Sequence, residues 1–148
     1  FVDRGRQQLN NLLVPYAANI HDDLGLELAL RLLVNSQERR LTVLRVAVNG
    51  EAENALSYEF QRVIEQLPTE VRSRIETPIV EAAEPIQAVV AASANADLTI
   101  AGTSREWGIE RQTLGQYTDE LAVQCHSSLL IARCYVKARS HLASVLSQ

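Results

Sequence analysis

The sequence predicts an α/β domain built on an open five-stranded parallel sheet with helices on both faces. Short apolar runs rich in β-branched residues alternate along the chain with stretches whose apolar residues recur every three or four positions. Strands that alternate with helices form parallel sheets through right-handed crossovers. With 148 residues, 47% of them hydrophobic and 22% charged, the chain fits one globular domain.

Five short apolar segments are predicted to be strands. They span residues 12–14, 41–48, 74–80, 97–101 and 127–133. Pro15 ends the first, and Asn49 and Gly50 form a turn after the second. The third contains Pro78, which has no N–H to donate, so we expect this strand at an edge of the sheet.

Four segments with helical spacing lie between these strands, at about residues 20–32, 52–67, 85–95 and 116–125. Asp22 and Asp23 fall in the first turn of the first helix, where the helix dipole favours acidic residues. Pro68 closes the second helix, and Pro85 suits the first position of the third. Together these segments predict the order βαβαβαβαβ.

The ends of the chain are assigned by composition. The sequence contains no methionine and opens at Phe1, so we expect it to come from a longer protein, with residues 1–10 as a linker. Residues 11–134 form the predicted domain. We expect residues 135–148 to be a partly helical C-terminal extension that packs on the core or on a second subunit.

Charge and composition exclude several classes of function. The net charge of -4 argues against a nucleic-acid binder. No apolar run approaches the length of about 20 residues that spans a bilayer, and no signal peptide is recognisable. Cys125 and Cys134 do not have the spacing of a zinc site, so we expect free thiols in a reducing cytoplasm.

Ligands of open parallel sheets bind beyond the carboxyl ends of the strands, where the strand order reverses. The corresponding loops are residues 15–20, 49–51 and 102–116. The last of these runs from a strand through Gly102 and Gly115 into a helix, and could present backbone N–H groups to an anion. By itself this pattern is weak, because it matches neither a dinucleotide-binding fingerprint nor a Walker A loop.

Residues 11 to about 133 resemble the universal stress protein domain. The most specific stretch is residues 96–103, Ala-Asp-Leu-Thr-Ile-Ala-Gly-Thr, which is similar to the family's Ala-Asp, four apolar residues, Gly-Thr at the end of its fourth strand. Residues 12–15 and 41–46 resemble the family's first and second strands. The resemblance implies the same doubly wound fold.

Nucleotide-binding members of that family carry Gly-x-x-Gly, nine residues and Gly-Ser/Thr, together with an aspartate after the first strand. By position these residues correspond here to Gly102, Arg105, Gly115 and Gln116, and the aspartate corresponds to Ala17. Two of the four loop positions are retained and the adenine-reading carboxylate is absent. The nucleotide positions that the resemblance implies are Ala17, Val46, Gly102, Thr103, Arg105, Gly115 and Gln116.

Each departure has an expected cost. A side chain at position 105 costs about 1 kcal/mol in a left-handed conformation, or else it redirects the loop. Gln116 is longer than a compact hydroxyl. Ala17 removes a charged hydrogen-bonding partner worth about 1.5–3 kcal/mol. We therefore expect no cofactor, or only weak binding of ATP or another adenine nucleotide, at a millimolar rather than a micromolar level.

Two alternatives remain for this loop. Arg105 and Arg111 could form a different anion site, since guanidinium groups bind phosphate bidentately, although solvated loop charges are the more common case. Trp107 and Tyr16 could stack on a base, although an aromatic residue in such a loop is more often a hydrophobic plug.

The sequence gives little support for a catalytic or metal site. Cys125 and His126 are adjacent, so their side chains are expected to point apart, at the sheet end opposite the crevice. His21, Asp22 and Asp23 are consecutive at the start of a helix and diverge by about 100° each, which favours capping and dipole roles over metal binding. We therefore expect no catalytic or metal site.

The sequence thus predicts a non-enzymatic regulatory or interaction domain of the universal stress type. The resemblance implies a homodimer that pairs through Leu129, Leu130 and Ile131. Some members of the family are cytosolic domains of transporters and channels, so we expect a cytoplasmic location, including the cytosolic face of a membrane, and a covalently linked transporter as partner. The alternative is a stand-alone adenine-nucleotide-binding stress protein with an altered phosphate loop.

Overall fold

A computed structural model of the chain describes residues 1–5, 8–16, 20–47, 58–102 and 116–133. In chain order the elements are β1 (Asn11–Pro15), α1 (Ile20–Val34), β2 (Arg40–Ala47), α2 (Tyr58–Gln66), α3 (Thr69–Arg72), β3 (Ile75–Glu76), β4 (Ile79–Glu81), α4 (Pro85–Ser93), β5 (Leu98–Gly102), α5 (Gln116–Gln124) and β6 (Ser128–Ala132).

The strands form one parallel sheet in the order β3-β2-β1-β5-β6, and β4 also pairs with β2. The predicted α/β class and parallel sheet are therefore confirmed. Strand order reverses between β1 and β5, because the chain moves outward from β1 to β4 and then returns through α4 to the other side of β1. This reversal creates the crevice in which ligands of such sheets bind.

Helices cover both faces of the sheet, as predicted. Residues alternate between the faces along each strand. Leu12 and Val14 of β1 pack with α1 and α2, whereas Leu13 packs with α4 and α5. Phe60 of α2 is fully buried in the first cluster and Leu129 of β6 in the second. No described helix has the length and hydropathy of a membrane span.

The third predicted strand, residues 74–80, is instead two short strands. β3 and β4 are separated by Thr77 and Pro78, and both pair with β2 at the edge of the sheet. The predicted edge position is confirmed, and the break follows from the missing N–H of Pro78. The short helix α3, which follows Pro68, was not predicted. The predicted turn at Asn49 and Gly50, the predicted start of the second helix at residues 52–57 and the extension 135–148 lie outside the described residues.

Asp97 joins the beginnings of two central strands. One of its carboxylate oxygens accepts hydrogen bonds from the N–H groups of Asn10 and Asn11, at 2.9 and 2.8 Å. Charge-assisted bonds of this kind are about twice as strong as neutral ones. The aspartate of the Ala-Asp pair thus fixes the register of β1 beside β5, and through it the position of the crevice.

Candidate functional site

The candidate site is the crevice at the carboxyl edge of the sheet, where β1 and β5 end. Tyr16 follows β1, and its N–H donates to the carbonyl of Leu44 at 2.9 Å, so β1 remains paired with β2 up to the crevice. Gly102 ends β5 beside Ala132 of β6. The described pairing of β1 with β5 covers Leu12–Leu98 and Leu13–Thr99, at the beginnings of these strands, so at the crevice β1 is held by β2 and β5 is held by β6.

The first turn of α1 lies over the same edge. Gly25 packs against β5, since a Cβ atom built on it would lie 3.5 Å from the Cγ2 of Ile100. Asp22 is one turn earlier, about 4.5 Å further along the helix axis. A strand covers the same distance in between one and two residues. Counted from Ile100, this distance brings the start of α1 level with Gly102 at the end of β5.

Asp22 and Asp23 bring two carboxylates to this position, with exposures of only 6% and 8%. They lie in the first turn of α1, as the dipole interpretation predicts. A helix N-terminus otherwise offers positive potential to a phosphate. The two acidic side chains offset that potential, so this end of α1 is a poor phosphate site.

Tyr16 fills the space beneath the start of α1. Its side chain is 4% exposed, and its ring packs against that of Phe60 with centroids 6.0 Å apart. The hydroxyl donates to Oδ1 of Asp23 at 2.8 Å. Burial of the ring confirms the interpretation of Tyr16 as a hydrophobic plug, since a ring enclosed in the core has no face open for stacking on a base.

Replacing Tyr16 with phenylalanine tests this plug. We expect the free energy of unfolding to fall by about 1.5–3 kcal/mol, because a buried hydrogen bond to a charged group is lost while the ring packing is kept. Urea denaturation measures the change. The double-mutant cycle with Asp23→Asn should give a coupling energy above about 1 kcal/mol, and additive effects would show that the two groups do not interact.

The residues implied by the family resemblance are only partly described. Val46 is half-buried on β2 and packs in the cluster under α4 and α5. Gly102 is buried at the end of β5, and Gln116 begins α5. β1 separates the strands that carry Val46 and Gly102. The remaining predicted positions lie outside the described residues: Ala17, Thr103, Arg105 and Gly115. So do Arg105 and Arg111 of the anion alternative and Trp107 of the stacking alternative, whose other member, Tyr16, is buried.

A cavity of about 400 Å³ lies away from this crevice, beside β2 and the end of α4. Residues from the beginnings of strands line it, including Asn11 and Arg40, together with Asn95 and Ala96 after α4. It is therefore near the amino edge of the sheet, and no sequence pattern predicted it.

Among the described residues, no group of three or more His, Cys, Asp or Glu is placed to hold a metal ion.

Cys125 belongs to a buried hydroxyl cluster at the amino edge of the sheet. Its sulfur lies 3.3 Å from Oγ of Ser127 and 3.7 Å from Oγ1 of Thr99, and these two oxygens are 2.7 Å apart. Burial acts to raise the pKa of the Cys125 thiol, but hydrogen bonds with Ser127, Ser93 and Thr99 outweigh it and lower that pKa. Cys125 is 4% exposed, whereas His126 is exposed.

We expect native Cys125 to be alkylated slowly at neutral pH. The lowered pKa increases the thiolate fraction, but the reagent must reach the sulfur, so burial controls the rate. Iodoacetamide labelling, followed by mass spectrometry in a Cys134→Ser background, measures it. Labelling should accelerate by more than about a hundredfold in denaturant, and fast native labelling would instead support a reactive Cys125.

Comparison with known proteins supports the fold. No protein-family model and no curated protein matches the sequence. Universal stress protein UspA from Lactobacillus plantarum is 16% identical, with 85% of this chain and 99% of that chain covered and a TM-score of 0.63. A universal stress protein in complex with cAMP is 15% identical, covering 83% and 96%, with a TM-score of 0.57. One from Archaeoglobus fulgidus is 11% identical, covering 84% and 98%, with a TM-score of 0.57. The chain therefore has the universal stress protein fold.

Proposed function

We propose that the chain is a non-enzymatic regulatory and interaction domain of the universal stress type, in which ATP binding is lost or weak. The observation that carries this proposal is that the crevice is filled by a buried aromatic ring and two carboxylates. Tyr16 is buried in the core, and Asp22 and Asp23 occupy the helix turn that would face a phosphate. Both features disfavour a nucleotide polyphosphate at the edge where this fold would bind one.

The sequence of the neighbouring loops supports the same proposal. Ala17 stands where nucleotide-binding relatives have an aspartate, and Arg105 stands where they have a glycine. A fold that keeps its sheet but loses its ligand contacts is free to act through its surface. We propose that it does so as the cytosolic part of a membrane transporter or channel.

The transporter connection is tested by the complete open reading frame. The proposal expects a series of hydrophobic segments of about 20 residues each upstream of Phe1. An open reading frame that encodes this domain alone would refute the transporter connection and leave the nucleotide question to be decided separately.

The alternative function is a stand-alone adenine-nucleotide-binding stress protein. The cAMP complex of a protein with the same fold favours it, as do the retained glycines at positions 102 and 115. Thermal-shift titration with ATP, AMP and cyclic dinucleotides separates the two functions. A ligand at a hundred times its dissociation constant stabilises the fold by about 2.7 kcal/mol, so the alternative predicts a rise in Tm of several degrees, and our proposal predicts none.

A further inference from the structure

The two outer edges of the sheet are protected in different ways. β3 and β4 share one edge and are two and three residues long, with Pro78 between them and the charged Glu81 at the end of β4. Short strands, proline and charged residues are devices that prevent edge strands from pairing with other chains. This edge is therefore blunted by its own sequence.

β6 forms the other edge and carries none of these devices. Its five residues, Ser-Leu-Leu-Ile-Ala, include no proline, glycine or charge. It is paired with β5 along its whole length, so one side of the strand is satisfied and the other faces outward. An apolar edge of this kind is a template for pairing with another strand.

The first residues of the chain cover this outer edge. Val2 forms an antiparallel bridge with Leu129, in which the N–H of Val2 donates to the carbonyl of Leu129 at 2.7 Å and the N–H of Leu129 donates to the carbonyl of Val2 at 2.8 Å. The Val2 side chain packs against the cluster under α4 and α5. Leu129, the second residue of β6, is therefore paired with Thr99 of β5 on one side and with Val2 on the other.

Polar contacts fix this segment in place. The N–H of Arg4 donates to Oγ of Ser128 at 3.0 Å, and that hydroxyl donates to Oδ1 of Asp3 at 3.3 Å. The guanidinium group of Arg4 donates to the carbonyl of Ala122. That carbonyl lies in the last turn of α5, which has no basic residue of its own and favours a cation. Gly5 follows in a left-handed conformation, with a φ of 72°, and its N–H donates to Oδ1 of Asp3 at 2.8 Å.

We propose that residues 1–5 are an intramolecular cap that competes with a second copy of this chain for the outer edge of β6. With the cap in place, the chain is monomeric. When the cap is displaced, two β6 strands pair with each other and the copies associate. The homodimer that the family resemblance implies uses Leu129, Leu130 and Ile131 of the same edge, so cap and dimer exclude one another. This inference does not depend on the nucleotide crevice.

Sedimentation velocity of three variants tests the cap. Deletion of residues 1–5 removes it, Val2→Pro removes the N–H that donates to Leu129, and Phe1→Ser alters a residue that is 76% exposed and serves as the matched control. We expect the full chain and Phe1→Ser to be monomeric. Both cap variants should dimerise with a dissociation constant at least about tenfold lower than that of the full chain, because the deletion exposes the N–H and the carbonyl of Leu129 and Val2→Pro removes the donor of the Leu129 carbonyl.

A second substitution identifies the surface. The alternation of the ladder directs the N–H of Ile131 to the same side as that of Leu129, so Ile131→Pro blocks the outer edge without removing a bond to β5. It should return the deletion variant to a monomer. A full chain that dimerises as strongly as the cap variants would overturn the proposal. So would cap variants that stay monomeric while circular dichroism shows them folded. If the deletion variant does not fold, Val2→Pro decides by the same criteria.

Discussion

Replacing Arg74 with methionine is expected to lower the free energy of unfolding by about 3 kcal/mol. Arg74 is 8% exposed, and its Nη1 donates to the carbonyls of Leu33, Ser36 and Arg39 at 3.1, 2.7 and 2.7 Å. Its Nε forms an ion pair with Glu70 at 2.9 Å. One guanidinium group thus holds the end of α1 and the turn into β2, and its loss leaves three carbonyls short of a donor.

The matched control for this prediction is Arg72→Met. Arg72 lies two residues away and is exposed, and among the described residues its side chain bonds only to Thr69, where Nη2 donates to Oγ1 at 3.1 Å. Its replacement should change the free energy of unfolding by less than about 0.5 kcal/mol. Urea denaturation of both variants gives the comparison. Equal effects, or an Arg74→Met effect below about 1 kcal/mol, would show that the buried guanidinium is dispensable.

Restoring the three family positions is expected to create ATP binding. The triple variant is Ala17→Asp, Arg105→Gly, Gln116→Ser. It supplies a carboxylate for the base, a glycine that can adopt a left-handed backbone conformation, and a compact hydroxyl. These gains correspond to about 2.5–4 kcal/mol, since a charged hydrogen bond contributes about 1.5–3 kcal/mol and the glycine about 1 kcal/mol. We therefore expect the dissociation constant for ATP to fall by about a hundredfold or more.

A reversal variant controls for non-specific effects. Gly102, the last residue of β5, is the first glycine of the family's loop. Adding Gly102→Val to the restored chain places a side chain there, and this substitution should abolish the gained ATP binding. Isothermal titration of ATP into both chains makes the comparison. If the restored chain binds no better than the native chain, Asp22, Asp23 and the plug at Tyr16 outweigh the loop, and the three substitutions do not explain the loss.

The central elements of the fold could be predicted because their signals are local. The run at residues 41–48 is rich in β-branched residues and precedes Asn49-Gly50 in the sequence, and the periodic apolar residues of the segment 20–32 specify one helix face. Pro78 predicted an edge, but the split into β3 and β4 depends on how each half reaches β2. The turn of helix α3 is too short to leave a periodic pattern.

The anchors of the fold and site could not be predicted, because they join distant parts of the chain. Arg74 caps a helix that ended forty residues earlier, and the carboxylate of Asp97 binds N–H groups of residues 10 and 11. A basic or acidic residue in isolation gives no sign of such partners. Val2 likewise pairs with Leu129 through backbone atoms alone, which no side-chain pattern encodes.

Titration of ATP into the native chain by isothermal calorimetry tests most directly whether this universal stress fold has lost its nucleotide. With protein at about 50 μM and ATP up to about 1 mM, a micromolar site would saturate and a millimolar site would not. We predict that the heats do not saturate over this range. A saturable one-to-one isotherm with a micromolar dissociation constant would contradict the proposed function.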